Sequence, residues 1–286
     1  MSLLLVGLTL MFLANKARPA LSKTGSWYFL TKSVWNPALE HFGVFGLLMG
    51  TGIIATIALS VAVPTALAMA LFINEYAPRR LSRYVTTVID LLAALPSVLF
   101  GMWGLFALQG KLVPVARWIT HNLAIVPFFR IQASNTSLAQ SSFIGGVVVG
   151  IMILPIITSV SRDVMSQVPR EQCEGALALG GTRWGMIRSV ILPFGRSGIV
   201  GAVLLGFGRA LGETIAIALI IALRFKANSH WLSAGGGSIA SLIATRFTEA
   251  SPLELSALVA AGLALFLLTL AVNLAAQWVV KRGVAR

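Results

Sequence analysis

Long apolar runs separated by shorter polar segments dominate the chain. Most runs reach the roughly 20 residues that an α-helix needs to cross a hydrocarbon layer, and they exceed the roughly 10 of a barrel strand. The pattern therefore predicts an all-α integral membrane protein, with six transmembrane helices in one domain, residues 1–286. The predicted spans are 3–14, 42–73, 84–108, 142–160, 191–223 and 255–280.

The first run, 3–14, is short for a span. Its basic residues, Lys16 and Arg18, follow the apolar stretch, whereas a signal peptide carries them before it. The run is therefore expected to be a first transmembrane helix that lacks part of its amino end. In the second span, Pro64 is expected to kink the helix.

Composition agrees with a membrane protein. Hydrophobic residues make up 57% of the chain and charged residues 11%, and the mean hydropathy is +0.87. The net charge of +13 is scattered between apolar runs, which topology and lipid head groups explain more simply than nucleic-acid binding. The single cysteine, Cys173, is expected to be a free thiol without a role. The three histidines lie far apart without companion ligands, so neither a metal site nor a catalytic site is expected.

A polar, basic segment, 161–190, interrupts the apolar pattern. It contains the sequence EGALALG at 174–180, and VILP follows at 190–193 after nine residues. Helix-forming residues on both sides of Gly180 and Gly181 predict two short helices joined by a turn. Composition alone explains the segment equally well as an ordinary amphipathic loop at the membrane surface.

The spacing of this segment resembles the cytoplasmic coupling loop of ABC importer permeases. That loop reads Glu-Ala-Ala, three residues, Gly, nine residues and Ile-x-Leu-Pro; here Gly175 and Val190 replace the first Ala and the Ile. The resemblance implies contact with an ATPase subunit through Glu174, Gly175, Ala176, Leu177, Gly180 and Pro193. The sequence has no Gly-x-x-x-x-Gly-Lys-Ser/Thr loop, so ATP and Mg²⁺ are expected in a separate chain and no cofactor in this one.

A cytoplasmic coupling loop and six spans place both termini in the cytoplasm. The predicted inner loops carry eleven basic and four acidic residues, and the outer loops carry ten and three. The positive-inside bias is therefore absent, and the orientation depends on the motif. The basic residues of the outer loops have two possible roles: they attract an anionic substrate or an acidic binding protein, or they contact lipid head groups. These predicted outer loops are 15–41, 109–141 and 224–254.

Two charged residues, Arg209 and Glu213, lie in the fifth predicted span. On a continuous helix they share a face, and because a charge at mid-bilayer costs roughly 2.5–3.5 kcal/mol, both are expected to face protein or water. The forked guanidinium of Arg209 suits an oxyanion, and Glu213 is hypothesised to hold Arg209 when the path is empty. The alternative is an ion pair that only neutralises itself.

Two further polar positions belong to the third predicted span. Asp90 near its start is either part of a polar path or a residue at the membrane edge. Pro96 with Ser97 predicts a break or bend in the helix. The backbone groups that it frees either hydrogen-bond a passing anion or accompany a simple packing kink.

Three segments sharpen the resemblance: LLAALPSV at 91–98, GMWG at 101–104 and GRALGET at 208–214. Together with the coupling loop they resemble the permease of ABC-type phosphate importers, the C-type subunit of the Pst system, from about Trp35 to the last span. The resemblance implies a type I ABC importer permease fold and phosphate import across the cytoplasmic membrane. The implied substrate path contains Arg209, Glu213, Thr214, Asp90 and Ser97. The implied partners are a homologous A-type permease, two ATPase subunits, an extracytoplasmic phosphate-binding protein and membrane lipid.

Two other kinds of transporter stay open. One is a permease for another oxyanion, such as sulfate, molybdate or phosphonate. The other is a self-sufficient, ion-coupled secondary transporter or channel in which Arg209 and Glu213 form the gate. Its expected inverted repeat is not visible, and it does not explain the coupling loop. A membrane scaffold that transports nothing has no reason to bury Arg209 and Glu213.

Overall fold

A computed structural model describes residues 2–123, 125–130 and 137–284. Within this part of the chain, six helical stretches are long and apolar enough to cross a membrane. They are Leu4–Thr24, Phe45–Tyr76, Ser97–Asn122, Ser142–Ser166, Arg183–Leu211 and Pro252–Trp278. The predicted all-α membrane fold is confirmed.

Helices account for most of the described residues. They are α1 Ser2–Thr24, α2 Ser26–Thr31, α3 Phe45–Leu71, α4 Arg79–Ala94, α5 Ser97–Trp103, α6 Gln109–Asn122, α7 Ser142–Ser166, α8 Arg170–Ala178, α9 Arg183–Met186, α10 Leu192–Leu211, α11 Ile215–Ile220, α12 Ile239–Arg246 and α13 Pro252–Val284. Wider helical turns at Phe72–Tyr76, Gly104–Leu108 and Ile187–Ile191 extend or join neighbouring helices. A two-stranded antiparallel ladder pairs β1, Trp35–Asn36, with β2, His41–Phe42.

The third span lies later in the chain than predicted. Leu95 adopts an extended backbone, φ −66° and ψ 139°, because Pro96 disfavours a helical residue before it and has no N–H of its own. The chain therefore ends α4 at Ala94, restarts at Ser97 and stays helical to Asn122. The predicted span 84–108 is wrong, and 109–122 is helix instead of outer loop. Residues 124 and 131–136 of that predicted loop lie outside the described residues.

The fifth span ends earlier than predicted. Helix α10 ends at Leu211, and residues 212–214 are not helical. The Oε1 atom of Glu213 accepts a hydrogen bond from the Ala216 N–H at 3.2 Å, so this carboxylate caps the start of α11. The predicted span 191–223 is therefore interrupted. The prediction that Arg209 and Glu213 share one helix face is wrong, because the helix ends between them.

The other spans keep their predicted places but differ at their ends. Helix α1 continues beyond the predicted 3–14 through Lys16 and Arg18, whose long side chains allow a charge to reach water from a helix end. Helix α7 continues past 160 to Ser166, and Pro64 lies inside α3 without ending it.

Tertiary contacts separate the chain into two compact units. Unit 1 comprises Met1–Ile57, Pro96–Val149 and Leu211–Val272; unit 2 comprises Ala58–Leu95, Gly150–Ala210 and Asn273–Arg286. The prediction of one permease domain stays a prediction.

Each unit has its own apolar core. The core of unit 1 includes Phe29, Phe42, Leu47, Ile239 and Leu242, and the core of unit 2 includes Met165, Met186, Ile187 and Ile191. In unit 1 the buried Trp35 donates its indole N–H to Oε1 of Glu254 at 2.9 Å. This bond satisfies two polar groups that would otherwise be costly to bury.

Gly50 and Gly52 on α3 form a matched pair for testing the packing of unit 1. A Cβ at Gly50 would collide with the backbone carbonyl oxygen of Gly237, whereas a Cβ at Gly52 would meet nothing within 4 Å. Gly50→Ala is expected to lower the free energy of unfolding by about 1–3 kcal/mol because backbone cannot move aside easily. Gly52→Ala is expected to be neutral or slightly stabilising. Thermal unfolding of both variants in detergent checks this, and equal midpoints would contradict the packing of Gly50 against Gly237.

Candidate functional site

A cavity of 590 Å³ lies within unit 2. Helix α10 supplies most of its wall, and α7 and α13 supply the rest. The lining residues are Ile156, Gly201, Leu204, Leu205, Gly208, Arg209, Asn273 and Gln277. Three polar side chains in an otherwise apolar wall match the usual character of a small-ligand site.

The α10 wall is open because two of its residues are glycines. A Cβ at Gly201 or at Gly208 would meet nothing within 4 Å, and the two lie seven residues apart, which places them on the same face of the helix. Gly208 therefore leaves open space at the cavity wall, and Gly212 lies after the end of α10.

Arg209 is the charged member among the described residues that line the cavity. It lies in the last turn of α10, where the helix dipole favours a positive charge. Its side chain is exposed and lines the cavity; that it faces protein or water instead of lipid stays a prediction. The guanidinium is thus available to a ligand.

Asn273 and Gln277 are cavity residues that sequence reasoning missed. They are four residues apart on α13 and so lie on one face of it. Asn273 Oδ1 is buried and has no hydrogen-bond partner among the described residues. The sequence signal that could have identified them is the pair of amides at helical spacing in a strongly apolar span. Neither amide carries a charge, and nothing in the sequence linked them to Arg209.

Asn273→Leu tests whether this amide serves a ligand and not the fold. An unpartnered buried amide costs about 1–3 kcal/mol, so the thermal midpoint of unfolding is expected to stay level or rise. Substrate uptake is expected to fall about tenfold, the effect of one lost hydrogen bond to a charged ligand. Thr269→Val is the matched control on α13, because the Thr269 hydroxyl donates to Leu265 O at 2.8 Å and does not line the cavity. Lower stability with normal uptake in Asn273→Leu would show a purely structural role.

The other predicted path residues do not line this cavity. Asp90 on α4 accepts a hydrogen bond from the Ser159 hydroxyl at 3.2 Å within unit 2. Ser97, Glu213 and Thr214 belong to unit 1. Glu213 is 6% exposed, and its backbone oxygen accepts a hydrogen bond from Ser238 Oγ at 3.2 Å. Of the predicted path set, therefore, only Arg209 is a lining residue.

The predicted coupling segment folds as two short helices with a turn, as expected. Helix α8 carries Glu174, Gly175, Ala176 and Leu177 and ends in a left-handed residue, Gly180, with φ +83°. The N–H groups of residues 180 and 181 donate to the carbonyl oxygens of residues 177 and 176, which satisfies the end of the helix. On the other side of the turn, Thr182 Oγ1 accepts from the N–H of residue 185 at 3.1 Å and caps α9. Pro193 follows as the second residue of α10 and is exposed.

This segment presents apolar side chains to its surroundings. Leu177 is 40% exposed, Trp184 59% and Leu179 92%, whereas Ala176 packs against the core of unit 2. Exposed apolar groups on a small, well-capped element are typical of a surface that another protein covers.

Cys173 on α8 is half-buried and is a free thiol. Burial raises its pKa, and the nearby carboxylates of Glu75 and Glu174 raise it further. The thiol therefore stays protonated at neutral pH and is a poor nucleophile.

Two solved ABC transporters are similar in fold to this chain. A bacterial ABC transporter involved in the import of the acidic polysaccharide alginate is similar over 93% of this chain and 87% of its own, at TM-score 0.63 and 18% identity. The MetNI methionine ABC transporter is similar over 85% of this chain and 95% of its own, at TM-score 0.54 and 17% identity. The fold is the type I ABC importer permease fold.

Residues 62–283 match the family model of the binding-protein-dependent transport system inner membrane component, and the chain belongs to that family. Among its relatives, phosphate transport system permease protein PstC 2 of Mycobacterium tuberculosis is 45% identical over 271 residues, covering 93% of this chain and 83% of that protein. PstC of Haemophilus influenzae is 44% identical over 245 residues, covering 84% of this chain and 76% of that protein. The chain is thus a multi-pass membrane permease subunit.

Proposed function

We propose that this chain is a PstC-type permease that carries inorganic phosphate into the cell as part of an ATP-driven ABC importer. The identity to named PstC proteins over most of the chain supports the cargo. The observation that carries the proposal is the cavity of unit 2, in which Arg209 is accompanied by Asn273 and Gln277. The chain forms half of the translocation path.

The polar lining groups match the chemistry of phosphate. At neutral pH phosphate is an anion whose oxygens accept hydrogen bonds and whose remaining O–H group donates one. Arg209 supplies charged forked donors, and the amides of Asn273 and Gln277 supply both donors and acceptors. A site with one cation holds the anion weakly enough to release it, as transport requires.

Transport in this proposal requires partner chains. The open α10 face at Gly201 and Gly208 is available to a homologous A-type permease, which would complete the path. The exposed Leu177, Leu179 and Trp184 suit docking of α8 and α9 into a cleft on an ATPase subunit. Two such subunits would bind ATP and Mg²⁺, and an extracytoplasmic binding protein would deliver phosphate. In this proposal the coupling segment lies in the cytoplasm, and with six spans both termini lie there too.

Competition in uptake tests the cargo. Cells that express the complete transporter take up labelled phosphate. An excess of unlabelled phosphate should block this uptake, and the same concentration of sulfate, molybdate or phosphonate should hardly affect it. Sulfate has no O–H donor at neutral pH, so it cannot satisfy an acceptor such as Asn273 Oδ1. Equal competition by sulfate would move the assignment to a general oxyanion permease.

A further inference from the structure

A second cavity, of 210 Å³, lies within unit 1, in the segment between α11 and α12. Its lining residues are Arg224, Lys226, Ala227, Asn228, Ser233, Ala234, Gly235 and Gly236. Two of these described lining residues are basic and none is acidic. The cavity falls in the basic segment 224–254, for which the sequence left open either attraction of an anion or contact with lipid.

The backbone of the segment is built around Arg224. The Arg224 N–H donates to Gly236 O at 2.8 Å, which links the two ends of the segment. Gly235 has a φ of +95°, and a Cβ there would lie 3.0 Å from Arg224 Nε. Glycine adopts this backbone conformation at low cost, and the exposed Arg224 side chain lies close against it.

A buried hydroxyl in the cavity has no partner. Ser233 is 4% exposed, and its Oγ makes no hydrogen bond among the described residues. Leaving such a group unsatisfied costs about 1–3 kcal/mol, and a ligand in the cavity would remove that cost. Asn228 adds a second donor, because its Oδ1 accepts from the His230 N–H at 3.0 Å and its Nδ2 atom is left for a ligand.

We propose that this cavity is a second oxyanion site, which binds free phosphate through Arg224, Lys226, Asn228 and Ser233. Proteins usually bind a phosphate group through the forked guanidinium of arginine and the compact ammonium of lysine, together with neutral hydrogen-bond donors. The volume holds one tetrahedral oxyanion with a few waters, and it is too small for an acyl chain or a peptide segment. The assignment of this cavity as an entry site for cargo on the outer side rests on the proposed function and on the predicted topology.

Protection of Arg224 from phenylglyoxal tests the site without any need for transport. The complete importer complex, in nanodiscs of neutral phosphatidylcholine, is treated with and without inorganic phosphate, and modification of each arginine is measured by mass spectrometry. Phosphate is expected to protect Arg224 saturably and to leave Arg117, an exposed arginine of α6, unprotected. Lys226→Gln and Ser233→Ala are each expected to raise the half-protecting concentration about tenfold. Lys226 is exposed, so its replacement does not threaten folding.

Three results would overturn the proposal: no phosphate protection of Arg224, protection that requires phosphatidylglycerol instead of free phosphate, or protection by the phosphate-free binding protein alone. The second would assign the cavity to a lipid head group, and the third would assign it to a protein contact. Failure of the proposed function is separate, because equal competition by sulfate in uptake would replace the phosphate permease with a general oxyanion permease even where phosphate protects Arg224.

Discussion

Arg209→Ala is expected to reduce phosphate uptake by more than about a hundredfold while the complex still assembles. In the proposed function the guanidinium would supply two charge-assisted hydrogen bonds to phosphate in the unit 2 cavity, each worth about 1.5–3 kcal/mol. Its side chain is exposed within this chain, so its removal leaves no buried group without a partner. Uptake of labelled phosphate at a fixed amount of membrane-inserted complex measures the effect.

Two companion variants separate charge from geometry. Arg209→Lys keeps the charge but loses the fork, and an intermediate rate is expected. Glu213→Gln retains an oxygen for the Ala216 N–H, so α11 stays capped, and any loss of uptake reports on the carboxylate charge. Unimpaired uptake in both Arg209→Ala and Glu213→Gln would refute a transport role for these residues.

Leu177→Asp is expected to uncouple the transporter. A carboxylate in place of an exposed apolar side chain on α8 would have to be desolvated in the cleft of the ATPase subunit. Loss of a central apolar contact costs about 2 kcal/mol or more, which is about thirtyfold in affinity. Co-purification of the ATPase subunits and phosphate-stimulated ATP hydrolysis are expected to fall together.

Leu177→Met is the matched control for this surface. It keeps an apolar side chain of similar volume, so assembly and hydrolysis are expected to stay near wild type. Because residue 177 is 40% exposed, neither variant should disturb the core of unit 2. Normal coupling in Leu177→Asp would mean that the segment is an ordinary membrane-surface loop.

The sequence predicted those features that short-range rules decide. Six apolar runs indicate six helices, because backbone groups in lipid must bond within their own segment. Gly180, with a neighbouring glycine, indicates the left-handed end of α8, because a positive φ favours this residue type.

The ends of the third and fifth spans depend on single residues that lie within otherwise apolar sequence. Pro96 interrupts a continuous apolar run and moves the third span toward the carboxyl end. Glu213 was interpreted as a helix-interior charge, although its carboxylate caps the following helix, α11. A hydrophobic window averages over both positions, so it gives neither boundary; the proline itself predicted a break or bend at residue 96, but not the resulting shift of the span.

The two cavities could not be predicted, because the first joins residues that are distant in sequence and the second depends on how one short segment folds back on itself. Asn273 and Arg209 are separated by more than sixty residues and meet only through the packing of unit 2. Ser233 gained significance only when its hydroxyl was found buried without a partner among the described residues. Sequence supplies the residue types, and tertiary structure supplies their neighbours.

Transport by the purified complex in ATP-loaded proteoliposomes tests the central claim most directly. With the binding protein outside, labelled phosphate is expected to accumulate only when ATP is inside and both the A-type permease and the ATPase subunits are present. Phosphate accumulation by this chain alone, driven by an ion gradient and without ATP, would contradict the claim and identify a secondary transporter.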